Sequence, residues 1–223
     1  MKPEFKTGLI SQKENYILRP AKAEDFENYY LPNYCPLDPE VARLTRSRPD
    51  FSRKEVESFF KNAIEDPEIC LFLVEDEEGN IIGESVINEI DWHLKKANFR
   101  IALYQQTARG KGIGTWVVKA TRDFAFEVLK LHRLELDVFS FNPKAEKVYQ
   151  KAGFRREGVL RDAIAWPEGM DKSAENGNNG NNENGSKEYA DDILMAMLED
   201  EFWAIKQQEQ EEWQGSADQD DQD

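Results

Sequence analysis

Six consecutive residues, Arg109, Gly110, Lys111, Gly112, Ile113 and Gly114, put three glycines and two cations where an alternating apolar run gives way to a helical one. Glycine lets a backbone approach a ligand closely, and the free N–H groups at a helix start favour anions, so this stretch suits a pyrophosphate. A plain strand-to-helix turn reads the same way from these six residues alone. Two phosphate motifs are excluded by spelling. A P-loop needs GxxxxGK followed by Ser or Thr, and the dinucleotide GxGxxG fails because Thr115 and Val117 stand where its last glycine belongs. Asp137 lies near the spacing of a ribose-binding acid, but the strand before the turn belongs to an antiparallel meander, with which a dinucleotide fold would not begin. Cys35 and Cys70 form no CxxC pair, and His93 and His132 cannot supply a His-rich cage, so structural zinc and a disulfide framework are not expected. Neither histidine has a Ser or Cys partner in motif context, and both read as structural.

A second stretch strengthens the first. Asn142-Pro-Lys-Ala145-Glu-Lys-Val-Tyr149-Gln-Lys-Ala-Gly153-Phe154, taken with residues 109–114, closely resembles the GNAT superfamily of acyl-CoA N-acyltransferases. That family's pattern is R/Q-x-x-G-x-G/A, then N-x-x-A-x-x-x-Y-x-x-x-G-F. Leu18-Arg19-Pro20, Ile82-Gly83, Ala125-Phe126, Leu131-His132-Arg133 and Glu157-Gly158-Val159-Leu160-Arg161 look like the branch that contains the ribosomal-protein N-terminal alanine acetyltransferases. Spermidine acetyltransferases share much of this pattern. The resemblance covers residues 9–198; an Asn/Gly-rich insertion and an acidic tail depart from it.

The resemblance implies acetyl transfer from acetyl-CoA to a primary amine by direct attack, without a metal or a covalent enzyme intermediate. The acceptor would be a protein N-terminus or a small amine. Polyamine or other small-molecule acetylation is the second enzymatic reading, and a non-catalytic acyl-CoA-binding regulator is the reading from another class. The cofactor would enter between two parallel strands, ending here at Tyr104 and Phe139, and a backbone N–H near Leu103 and Tyr104 would polarise the thioester. Residues 109–114 with Thr115 would hold the pyrophosphate, and Asn142 would contact cofactor or ordered water besides capping its helix. Lys144, Lys147 and Lys151, at three- and four-residue spacing, form a basic face toward the phosphates or toward solvent. Tyr149 would protonate the departing thiolate, where the bland alternative is a core tyrosine. Glu89, late in its strand beside the expected cleft, is the candidate base or water-orienting group, with Asp91 as its substitute. Acceptor pockets would come from residues 31–50 and 88–94 and the loop after Ala165.

The elements that must position these groups can be read from periodicity. Residues 16–20 make a short strand, residues 23–30 have helical character, and Ser52 with Glu55 forms a capping box for a helix over residues 53–63. Residues 71–76 and 81–90, separated by Glu77, Glu78, Gly79 and Asn80, read as a hairpin, and residues 97–104 alternate as a third antiparallel strand. Val117, Ala120, Phe124, Val128 and Leu131 then recur at helical spacing before Leu134, Leu136 and Val138 alternate, which makes a right-handed parallel crossover. Asn142 caps a helix that Gly153 stops, and residues 154–165 and 189–198 form a final strand pair. The fold class is therefore α/β with a GNAT-like mixed sheet, antiparallel at first and parallel around a splayed cofactor cleft.

One domain over residues 1–198 is expected, with a mobile loop at 172–187 and an acidic, Gln-rich tail at 199–223 that starts as a short helix and frays from Gln207. The formal charge of −15 is uneven: residues 199–223 carry ten acids against one Lys, residues 166–192 seven against two, and residues 1–165 are nearly balanced with 27 against 26. Such a chain is a poor partner for nucleic acid, which wants clustered excess Lys and Arg. A hydrophobic content of 39% supports a real core, while the longest apolar runs fall far short of a membrane span, so no membrane partner and a cytoplasmic location are expected.

Overall fold

The computed structural model describes residues 10–48, 50–165 and 189–220. The insertion expected at 172–187 lies outside the described residues. Among the described residues, eight strands form one sheet in the order β1-β2-β3-β4-β5-β6-β8-β7: β1 (Ser11–Lys13), β2 (Tyr16–Pro20), β3 (Cys70–Glu75), β4 (Ile81–Asp91), β5 (Lys96–Leu103), β6 (Arg133–Phe139), β7 (Arg155–Ala165) and β8 (Tyr189–Leu198). Every neighbouring pair is antiparallel except β5 and β6. The mixed sheet expected from the sequence is thus present, with β1 as an additional short edge strand.

Helices cover both faces. On one lie α1 (Phe26–Tyr34), α2 (Pro39–Thr45) and α3 (Arg53–Glu65); on the other lie α4 (Ile113–Asp123), α5 (Pro143–Lys151) and α6 (Glu199–Asp220). Strands β3 and β4 are buried on both faces, which is why they read as continuous apolar runs. Helix α3 starts as its sequence dictates, with Ser52 Oγ accepting from the Glu55 N–H and the Glu55 carboxylate accepting from the Ser52 N–H. Helix α2, absent from the sequence reading, is set by Asp38, whose Oδ1 accepts from the N–H groups of Glu40 and Val41 ahead of Pro39 at the first turn. Arg19 ties β2 to its surroundings through Asp25 at 2.7 Å and Glu75 at 2.7 Å.

Two expectations need correction. The crossover helix does not keep α-periodicity to Leu131: residues Phe124–Val128 form a π-turn in which the Leu129 N–H donates to the Phe124 carbonyl. The extra residue rotates Val128 to solvent at 50% exposure and brings Leu129 inward at 6%. The tail does not fray at Gln207 either, because α6 runs on to Asp220. Its Glu- and Gln-rich composition favours a helix once one end is anchored. That anchor is Phe202, fully buried and stacked on Phe126 at 4.8 Å, beside Ile205, which fills the space a side chain at Gly153 would need. Lys206 reaches Asp123 at 2.9 Å, and Glu209 reaches Lys119 at 2.8 Å and the buried Arg122 at 3.2 Å. Phe202→Ala should therefore cost ~3–5 kcal/mol by leaving a cavity against Phe126. Thermal denaturation should show a melting temperature lower by roughly 10 °C; a drop of under 2 °C would mean that α6 is not part of the cooperative unit.

Candidate active site

The parallel ladder between β5 and β6 stops early. Pairing covers Lys96–Arg133, Ala97–Leu134 and Asn98–Glu135, and beyond it the two strands run on to Leu103 and Phe139 without bridging. Alternation fixes which backbone groups face that gap. The Tyr104 N–H donates to the Ile82 carbonyl at 2.9 Å, so residues 98, 100 and 102 also point toward β4, and Phe99, Ile101 and Leu103 turn their N–H groups toward β6. Of the expected Leu103 and Tyr104 pair, only Leu103 keeps its N–H on the gap. Tyr104 instead buries its ring on the α1–α3 face.

Helix α4 begins at the wide end of the gap. Gly112 occupies the N-cap position in the left-handed region (φ 77°), and among the described residues no side chain caps the helix. The first intrahelical bond runs from the Trp116 N–H to the Gly112 carbonyl, which leaves the N–H groups of Ile113, Gly114 and Thr115 as free donors. A Cβ at Gly112 would meet nothing within 4 Å among the described residues, which leave the space before the helix open. Gly110 and Lys111 are exposed beside it. Arg109 differs from expectation, because its guanidinium is held by Glu40 at 2.6 Å, by Asp38 at 3.4 Å and by the Leu103 carbonyl at 3.3 Å. Its side chain joins the start of α2 to the end of β5 and is not directed at a phosphate.

Helix α5 brings Tyr149 to the narrow end. Asn142 caps this helix through Oδ1 to the Ala145 N–H at 3.3 Å, and Lys144, Lys147 and Lys151 lie on its solvent face. Tyr149 is 6% exposed and packs edge-on against Phe99 at 6.2 Å, level with the last bridge of the ladder. Four residues separate that level from Leu103, about 13 Å of extended chain. Burial, and secondarily the Asp137 carboxylate, hold the phenol well above its ordinary pKa, so it stays protonated.

Tyr149, Asn142, Asp137 and Glu89 all line one cleft of about 630 Å³ that passes through the gap to the α1–α3 face. Glu89 is exposed, and its positive φ of 54° marks a bulge where the β4–β5 register shifts between Asn88 and Asp91. Asp91 does not serve as its substitute: its carboxylate accepts from the N–H groups of Leu94 and His93, which lower its pKa and commit it to the turn. His132 is exposed beside Glu199, away from the cleft.

The sequence reading missed a further group on the same cleft. Glu84 of β4 is 7% exposed and accepts from Tyr29 Oη at 2.7 Å, and Tyr29, Tyr34 and Tyr104 bring their hydroxyls within 2.9–3.3 Å of one another. Burial, then the Glu84 charge, raises all three phenols above their usual range. The signal in the sequence was a lone acid inside an apolar run, Ile-Ile-Gly-Glu84-Ser-Val-Ile, in a strand buried on both faces.

Known proteins resemble this chain in sequence and in fold. The spermidine N(1)-acetyltransferase of Vibrio cholerae is 34% identical over 106 residues, 48% of this chain and 61% of that protein. The Escherichia coli K12 spermidine N(1)-acetyltransferase is 32% identical over 144 residues, 64% of this chain and 74% of that protein. This chain thus spans about three fifths of the first relative's length and three quarters of the second's. The crystal structure of the Vibrio cholerae enzyme in complex with CoA and spermine superposes with a TM-score of 0.66 at 25% identity, covering 86% of this chain and 99% of that one. These similarities do not single out the ribosomal-protein alanine branch. The model of the acetyltransferase (GNAT) domain matches residues 15–155, and with a sheet that splays beside an uncapped helix start, the chain belongs to the GNAT acetyltransferase family.

Proposed function

We propose that the chain transfers the acetyl group of acetyl-CoA to a primary amine of a small cationic acceptor, by direct attack on the thioester. One observation carries the reading: the β5–β6 ladder ends at Asn98–Glu135 and opens a cleft with a buried phenol at one end and an uncapped helix start at the other. The donors of Ile113, Gly114 and Thr115 suit a pyrophosphate, and the gap-facing N–H groups of Ile101 and Leu103 suit an extended amide chain laid along β5. The thioester then falls near Phe99, where that residue's N–H can polarise the carbonyl and Tyr149 can deliver a proton to the sulfur as the C–S bond breaks. Glu89, at the cleft wall, takes the proton of the attacking amine, directly or through a water. Neither Cys35 nor Cys70 lines the cleft, in keeping with attack by the acceptor itself.

A polyamine is favoured over a protein N-terminus. The spermidine acetyltransferase relatives support it, and so do the carboxylates of Glu84, Glu89 and Asp137 along the cleft. Consumption of acetyl-CoA should be compared across spermidine, spermine, Ala- and Ser-initiated peptides and aminoglycosides. The expected result is a kcat/KM at least tenfold higher for a polyamine than for any peptide, and a peptide preference would return the acceptor to a protein N-terminus.

A further inference from the structure

Glu84 is a buried carboxylate that no cation of the described residues pairs with. Its partner is the Tyr29 hydroxyl, and among the described residues no Lys, Arg or His comes within the 4.0 Å of an ion pair. Arg100, a cation on the same face of the sheet, is stacked over the Phe59 ring at 5.3 Å. A charge withdrawn from water in this way is costly unless something pairs with it. The three phenols cannot do so, since burial keeps them neutral; Tyr29 donates its proton to Glu84, and Tyr34 and Tyr104 share a hydrogen bond at 2.9 Å. Yet Glu84, Tyr34 and Tyr104 all line the cleft, with the Phe51 ring packed edge-on against Tyr34 at 5.9 Å. A carboxylate set among aromatic rings is a site for an ammonium, which can donate to the carboxylate and to phenolic oxygens while lying against ring faces.

We propose that Glu84, with Tyr34 and Tyr104, binds a second ammonium of the acceptor and so selects long linear polyamines over monoamines. The inference rests on the acceptor reading above and extends it to a subsite. Register supplies its length. Glu84 pairs with Ala102, and Tyr149 packs on Phe99, three residues earlier on β5 and on the opposite face of the sheet, so the two ends of the acceptor lie at least about 10 Å apart. A four-carbon diamine is too short to reach both.

The test uses spermidine and butylamine as probes on the full chain. Glu84→Gln keeps the shape and the bond to Tyr29 while removing the charge, and Glu84→Leu replaces a buried ion by an apolar group of similar size, a change that cores tolerate. Titration calorimetry should show spermidine bound at least tenfold more weakly by both variants, with acetyl-CoA affinity unchanged. In turnover, the KM for spermidine should rise about tenfold at constant kcat, while the KM for butylamine stays put. Melting temperatures at or above the parent's would show that the loss is not unfolding. Unchanged spermidine affinity in either folded variant overturns the subsite, as does a parent chain that fails to bind spermidine. If the parent acetylates spermidine and Glu84→Gln does so with an unaltered KM, the subsite is wrong and the reaction stands. If the parent binds spermidine through Glu84 yet transfers nothing to it, the subsite stands and the proposed reaction falls.

Discussion

Tyr149→Phe should lower kcat by ~10²-fold or more and leave acetyl-CoA affinity nearly intact, because the change removes one oxygen and keeps the ring. The ring is what the fold uses: it packs at 6.2 Å from both Phe99 and Phe154, and those contacts survive in phenylalanine. The oxygen is what the proposed chemistry uses. A thiolate leaving a thioester is a good leaving group, and a phenol held protonated by burial and by Asp137 can neutralise its charge as the bond breaks. The loss should therefore sit in kcat with the true acceptor at saturation, and the KM for acetyl-CoA should move little. A variant that is folded, binds acetyl-CoA and turns over at the parent rate would reduce Tyr149 to a core residue and leave water to supply the proton. Asp137→Asn offers a check on the cause. Removing that charge relaxes the upward pressure on the phenol yet leaves burial, the larger influence, so the variant should retain most of its turnover.

The parts of the site that could be read from the sequence share one property: they depend on neighbours close along the chain. The three glycines and the helix start that follows them sit within residues 109–115, and Tyr149 lies on one short helix that Asn142 caps and Gly153 follows, so spacing alone places them. Glu84 and its tyrosines come from β4, α1 and the end of β5, and nothing local links residues 29, 34, 84 and 104. Arg109 shows the opposite error. Its place in a glycine-rich turn pointed to a phosphate, but Asp38 and Glu40 lie some seventy residues away in sequence, and helix α2, which brings them up, had no apolar period long enough to be seen. The π-turn after α4 was invisible for a related reason, since one inserted residue shifts the face of everything after it while the spacing of Val128 and Leu131 still fits a regular helix. The tail misled through composition. Acid and Gln suggested solvent, and the contacts that anchor it, Phe202 to Phe126 and Glu209 to Arg122, are tertiary.

Gly112→Asp is expected to weaken CoA binding by at least 10²-fold, read by titration calorimetry. Gly112 stands at the N-cap of α4 with φ of 77° and open space where a Cβ would lie, so an added side chain projects into the volume in front of the free N–H groups of Ile113, Gly114 and Thr115. A carboxylate there competes for those same donors as a helix cap and repels a pyrophosphate at close range, where each pair of unit charges is worth ~4 kcal/mol at 4 Å with a surface-like dielectric. Backbone strain is the smaller term, since Asp and Asn enter the left-handed region more readily than other side chains. Gly112→Asn separates the two effects, because it has the same shape and similar backbone tolerance without the charge. It should lose affinity by a smaller factor, and only the Asp variant should regain part of its affinity as salt rises and screens the repulsion. Both variants should melt within a few degrees of the parent, because the change lies outside the buried apolar clusters. If folded Gly112→Asp bound CoA as the parent does, the start of α4 would not be the pyrophosphate site, and the cofactor path along Leu103 and Ile101 would have to be drawn elsewhere.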